Sequence, residues 1–570
     1  MKKFKNSVAS GLHKVLQELS TDINLSVQDL VSMFEYTPNP TLGDIAFPCF
    51  KLSRVLRKSP VQIAQELSLR LKSDFISKAE AVNGYLNIFA SDIYLNSEVE
   101  EIEKLGGNYG SDGSGVGKTA VFDYSSPNVA KPFHIGHLGT TVIGHSLKKL
   151  HEFQGYNCVG INYLGDWGTQ FGKLIVAYNM WGNKESIEKN GVDELVSLYV
   201  KFHHEAEIDE SLNQKARNEF TKLEHGDETN IQLWKWFVEI SLKEYQQTYK
   251  QLGIEFDSYK GESFYTDKMP AQVQKLRDSG LLKIDDGASI VDLSEYNMPP
   301  CLILKKDGST LYPTRDIAAA VYRKNEYKFD KCIYVTSAGQ SLHFAQWFKV
   351  VELMGYDWYN QLVHVPYGTV SINGEKLATR TGNVILLKDL FATAVEKVKD
   401  IIKEKNPNLE NQDDVAEAVG VGSVVFYYLY NNRIKDINFI MQDALSFEGN
   451  TGPYAQYTYA RTCGVLEKAG VIDASPKPLY VTNDDERALI KTLSKFGEAV
   501  SEAIKEYEPS VITRYIIEVC GAFNKFYHNC PILNSNNSEE KQTRIRLTKA
   551  TQTVLGSAFD LICIKKTEKI

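Results

Sequence analysis

The stretch Ser126-Pro127-Asn128-Val129-Ala130-Lys131-Pro132-Phe133-His134-Ile135-Gly136-His137 places two histidines three residues apart around a glycine. It follows directly on Ala120 to Tyr124, a run of β-branched and aromatic residues that reads as a strand. The text from 135 to 153 reads as a helix, so both imidazoles fall at its positive N-terminal end, where phosphate is favoured. Gly136 lacks a Cβ and admits a base or ribose close to the backbone, while His134 and His137 can donate hydrogen bonds to phosphate oxygens. On its own the pattern also suits surface or capping histidines. Far downstream, Lys376-Leu377-Ala378-Thr379-Arg380-Thr381-Gly382-Asn383 carries two cations and a glycine on a polar loop. Alone, that segment is a solvated turn.

Taken together, the two segments resemble the paired nucleotide-binding signatures of class I aminoacyl-tRNA synthetases. Three further stretches narrow the likeness: Asn162 to Gly172, Leu311 to Ala320 and Phe447 to Tyr457. All are similar to arginyl-tRNA synthetases, and the resemblance runs nearly end to end. It implies ATP-dependent joining of arginine to its tRNA through an adenylate, with ATP bound by His134, Gly136, His137, Lys376 and Arg380, and Mg2+ accompanying the ATP. It also implies an arginine pocket at Asp123, Asn128, Glu262, Tyr312, Asp316 and Gln340, all of types that accept a hydrogen bond. A guanidinium has five donors and never loses its charge, so acids suit it. Read without the resemblance, Glu262 is an ordinary loop residue and Asp316 an acid in the first turn of a helix capped by Thr314.

The chain departs from the family pattern at Gly139, where an arginine is usual, at Thr381 and at Ile570. Thr379 also stands where the second signature usually has its phosphate-binding lysine. Lys131, three residues before His134, is therefore expected to supply that cation and joins the two histidines as a catalytic candidate. The departures keep open a synthetase-like RNA-binding protein that does not aminoacylate. A small nucleotidyltransferase built on the histidine motif fits less well, because it has no need of a long helical C-terminal domain.

Elements to position these residues are legible along the 570 residues. Residues 1–105 read as a small α+β domain, 106–117 as a glycine-rich linker and 118–406 as a Rossmann-type α/β domain with a parallel, doubly wound sheet. A charged helical insertion covers about 183–251, and 407–570 reads as an all-α bundle. Strands are expected at 158–163, 301–305 and 332–336 of the α/β domain, and helices at 315–323 and 340–353. The end of the linker, Gly113 to Thr119, imitates a P-loop but has Asp112 where the first glycine belongs and precedes its strand.

In the resemblance the first domain holds the outer corner of the tRNA and the last reads its anticodon. Lys51, Arg54 and Lys58 fall on one helical face and are candidates for tRNA contact, although the spacing equally suits a solvated face. Tyr454 and Tyr457 are candidates for stacking on bases, although tyrosines at helical spacing are also core-formers. A net charge of −8 excludes indiscriminate nucleic-acid binding, so RNA contact must come from local basic faces. Eight cysteines without a C-x-x-C pair or metal-ligand spacing point to a reducing compartment and no protein-held metal. The basic start lacks an apolar core and no stretch approaches a membrane span, so a cytoplasmic monomer is expected.

Overall fold

The computed structural model describes residues 1–20, 22–376, 385–470 and 478–570. Its central sheet has four parallel strands in the order Leu362–Tyr367, Lys331–Ser337, Thr119–Asp123, Asn157–Ile161. The chain leaves Thr119–Asp123 toward one edge and returns on the other side at Lys331–Ser337. A crevice therefore opens at the carboxyl ends of these two strands, the switch point at which doubly wound sheets bind ligands. Val121 and Phe122 in one strand and Cys332 and Ile333 in the next are fully buried, as strands covered on both faces require.

The helix after the first strand begins as a 3-10 turn, Ile135–His137, and continues as Leu138–Phe153. Gly139 lies inside it, where a Cβ would collide with the Tyr428 phenol and the Tyr367 ring. Those tyrosines fill the space that a side chain at 139 would need. Four helices, Lys184–Asn190, Val192–Ile208, Ser211–Glu224 and Glu228–Leu252, form the insertion.

The expected strand near 301 forms, as Cys301–Leu304, but not in the parallel sheet. It is the edge of an antiparallel unit with Leu282–Asp285 and Ala288–Val291. Asp286 and Gly287 both have positive φ, 44° and 79°, which is the tight-hairpin geometry that an Asp-Gly pair favours. The helix expected at 315–323 runs over Tyr312–Tyr327, with Pro313 in its first turn, where the missing N–H is no loss. Thr314 is therefore not its cap; its hydroxyl donates to the Ile303 carbonyl at 2.6 Å. Asp316 moves into the second turn, so its presence there is not explained by the helix end.

The N-terminal sheet runs Glu35–Tyr36, Ile45–Pro48, Tyr85–Ala90, Ile76–Val82. Lys51, Arg54 and Lys58 are exposed but do not share one helix. Lys51 sits on the 3-10 turn Cys49–Leu52 and Arg54 on Ser53–Leu56, and the chain then breaks at Arg57, φ 51°, before Lys58. Lys58 pairs with Glu66. Pro60 opens the next helix, Pro60–Arg70, capped by Ser59, so a continuous helix through 58 has no room to form. Among its described residues the C-terminal part has one strand, Ile437–Phe439, which pairs in parallel with Val370–Ile372, and is otherwise built of helices and their connections.

Candidate active site

Leaving its strand at Asp123, the chain is bent by three non-glycine residues with positive φ: Ser125 at 69°, Ser126 at 46° and Ala130 at 57°. Each costs on the order of 1 kcal/mol and persists only where surrounding contacts hold it. Here the Ser125 N–H donates to Thr140 Oγ1 at 2.9 Å, Ser126 Oγ to Asp123 Oδ1 at 3.0 Å, and the Ala130 N–H to Ser241 Oγ at 3.0 Å. The bend delivers the two histidines to the helix N-terminus.

Their protonation follows from the geometry. His134 Nδ1 accepts the Gly136 N–H at 3.0 Å, and His137 Nδ1 accepts the His134 N–H at 3.2 Å. A neutral ring whose Nδ1 accepts must carry its proton on Nε2. Burial keeps both rings uncharged: His134 is held below the ordinary histidine value, and His137 falls to about 3 through burial, helped by its neighbours His134 and Lys131. The rings lie 4.0 Å apart between centroids. The site thus presents two neutral Nε2–H donors.

The chain just after the second signature meets the first here. The Ile135 N–H donates to the Ile385 carbonyl at 3.1 Å and the Leu387 N–H to the Phe133 carbonyl at 2.9 Å. The chain leaving the second signature is therefore bonded to the first. Lys376 ends the short strand Glu375–Lys376. Thr379, Arg380 and Thr381 lie outside the described residues. Lys131 is exposed on the turn before His134, with its carbonyl accepting the Tyr245 hydroxyl at 2.8 Å.

Beside His137 a cavity of about 580 Å3 occupies the switch-point crevice, and all six expected arginine-pocket residues, Asp123, Asn128, Glu262, Tyr312, Asp316 and Gln340, line it. They come from four stretches of the chain, with Asp123 and Asn128 five residues apart on one bend and Tyr312 and Asp316 one helical turn apart on one helix. Each of the three acids has a basic side chain of the protein beside it: Arg323 Nη1 lies 2.8 Å from Asp123, Arg315 Nη1 2.7 Å from Glu262, and His343 Nε2 2.6 Å from Asp316. Burial pushes the Glu262 carboxyl up to about 7 against the opposing pull of Arg315, with Asp316 and Asp166 adding to the rise.

The sequence reading missed these three partners. Arg315 adjoins Asp316, and Arg323 follows Asp316 at i+7 on one helix face, so spacing carried a signal for both. His343 comes from another helix, Ser341–Leu353, and nothing in sequence links it to Asp316.

A second cavity, of about 870 Å3, lies among the C-terminal helices with Tyr457, Arg461, Tyr527 and Ile570 on its wall. The Arg461 guanidinium stands 5.0 Å from the ring centroids of both Tyr457 and Tyr527. Tyr457 is 43 % exposed, whereas Tyr454 packs inward with its hydroxyl accepting from Asn524 Nδ2 at 2.9 Å. Of the two tyrosines, Tyr457 is the more exposed.

Comparison with known proteins agrees with this layout. The model for the class I (R) tRNA synthetase catalytic domain matches residues 101–441, that for the DALR anticodon binding domain 455–570, and that for the arginyl tRNA synthetase N-terminal domain 2–90. An arginine--tRNA ligase of Alkaliphilus metalliredigens is 50% identical over 561 residues, covering 98% of this chain and 99% of its own length. One from Halothermothrix orenii is 47% identical over the same shares. Among solved structures, arginyl-tRNA synthetase of Thermus thermophilus superposes with a TM-score of 0.82 at 23% identity, covering 99% of this chain and all of that one, which speaks for the fold. By its sequence over nearly the whole length and by all three domain matches, the chain belongs to the arginyl-tRNA synthetase family.

Proposed function

We propose a residue-level account of how this arginine–tRNA ligase works, carried by one observation: a single cavity has His137 and three carboxylates on its wall. The chain couples L-arginine to tRNA at the expense of ATP. In the first step the arginine carboxylate attacks the α-phosphorus and pyrophosphate leaves; in the second the terminal ribose hydroxyl of the tRNA displaces AMP. A carboxylate is already a competent nucleophile, so the first step needs positioning and charge neutralisation, not proton removal. His134 and His137, neutral and preoriented, donate to the phosphates without reorganising. Gly136 lets the nucleotide approach the backbone, and Lys376 and Arg380 add charge from the second signature. Mg2+ enters with the ATP phosphates as part of the substrate.

Asp123, Glu262 and Asp316, with Asn128, Tyr312 and Gln340, receive the amino acid. Glu262 carries a testable consequence. A carboxyl with its value near 7 is charged above that pH and neutral below it, and arginine binds the charged form. The KM for arginine should therefore fall as pH rises through about 7 and then level off, and Glu262→Gln should raise KM and flatten the profile. A wild-type profile in that variant would remove Glu262 from the pocket.

Lys131 is assigned to the phosphates in place of the lysine absent at Thr379. Lys131→Ala should slow adenylate formation by roughly tenfold or more, about 1.4 kcal/mol of transition-state stabilisation, and adding Thr379→Lys should restore part of it. Single-turnover adenylate formation with tRNA present measures both, and an unaffected Lys131→Ala rate refutes the assignment. At the far end of the chain, Tyr457 stacks on an anticodon base, with Tyr454 supporting the helix beneath it. Lys51, Arg54 and Lys58 offer separate phosphate contacts to the tRNA corner in place of one helical face. The chain acts as a monomer in the cytoplasm, a placement supported by its eight free cysteines.

A further inference from the structure

Arg323 is 1% exposed, yet it carries a guanidinium. It stands behind the cavity wall on the helix Tyr312–Tyr327, where three tyrosine rings enclose it: Tyr163 at 5.1 Å, Tyr334 at 5.5 Å and Tyr265 at 5.9 Å from the guanidinium carbon. Its Nη1 donates to Asp123 Oδ2 at 2.8 Å, while the other carboxylate oxygen accepts from Ser126 Oγ at 3.0 Å. An always-charged group sunk in an aromatic box is costly to desolvate, and pairing with a buried carboxylate is what makes the burial tolerable. Tyr163, Tyr334 and Asp123 all face the cavity on their other side. The box is thus continuous with the substrate site.

We infer that Arg323 is a positioning residue for arginine binding, fixing the Asp123 carboxylate from behind as an anchor for a cationic group of the amino acid. This rests on the reading of Asp123 as a ligand of the substrate. Without a partner, a carboxyl at this depth takes up a proton: burial already pushes Asp123 up from the usual carboxylate range, and Arg323 is the main force opposing it, with Ser126 helping and Asp316 working against. The other groups around Arg323 are the three phenols, all shifted upward by burial, and the Cys332 thiol, pushed up to about 11. Near neutral pH, Asp123 is the member of this cluster whose charge depends on Arg323.

The experiment measures arginine KM and kcat in tRNA charging against pH for the full chain and for Asp123→Asn, Arg323→Met and Arg323→Lys, with thermal melting of each. Arg323→Met is expected to raise KM about tenfold or more at neutral pH with kcat within about threefold, and the ratio of its KM to that of the unmodified chain should fall back as pH is raised and Asp123 ionises unaided. Arg323→Lys, which keeps the charge but loses the fork, should fall between. Asp123→Asn should raise KM with no recovery relative to the unmodified chain at the same high pH. An unchanged KM in Arg323→Met, or a loss that no rise in pH repairs, overturns the inference. Where melting shows Arg323→Met unfolded, an unchanged KM in Arg323→Lys overturns it equally. A wild-type KM in Asp123→Asn would instead sink the reading of Asp123 as a ligand.

Discussion

Replacing Asp316 by alanine is expected to abolish arginine-dependent charging while leaving tRNA affinity within a few-fold. The carboxylate lies on the cavity wall and is held by His343 Nε2 at 2.6 Å, so its orientation is set before substrate arrives. Removing it takes one of the charge partners from the substrate guanidinium in a partly desolvated site. Loss of one member of such a pair costs on the order of 3 kcal/mol or more, at least a hundredfold in kcat/KM. Nothing in the change touches the C-terminal cavity or the N-terminal basic residues, so filter binding of tRNA should scarcely move. Wild-type-like charging by Asp316→Ala would show that the acid is structural.

His137→Ala should slow adenylate formation by about a hundredfold, the scale seen when one preorganised donor to developing charge is deleted. The arginine KM should change little, because a neutral ring donor serves the phosphates and carries no charge for the guanidinium. His134 does not substitute, since its Nδ1 is committed to the Gly136 N–H and the Nε2 of each ring serves its own position. Single-turnover measurement with tRNA present separates this from slowed product release, and a loss of under threefold would contradict the role of the ring as a phosphate donor.

Local chemistry was readable in the sequence and long-range pairing was not. The strand, turn and helix that carry His134 and His137 follow from contiguous residues, and the six pocket positions came through a family likeness that the crevice then gathered into one cavity. The hairpin at Asp286-Gly287 had a readable signal that the strand–helix alternation obscured, and a proline in the first turn moved the helix start from Arg315 back to Tyr312. Lys51, Arg54 and Lys58 had helical spacing without a helix, because Ser59 and Pro60 start a new one. The Arg323–Asp123 and His343–Asp316 contacts join separate elements, and no periodicity records which acid a cation will meet. Gly139 shows the same limit: its meaning lies in Tyr428, which reaches it from a distant helix.

The account stands most directly on amino-acid selection by the acid-lined cavity. Total tRNA should be offered each of the twenty amino acids in turn, with ATP and Mg2+, and the charged fraction measured. Acceptance of arginine alone is the predicted result; charging with any other amino acid, or no charging with arginine, would contradict it.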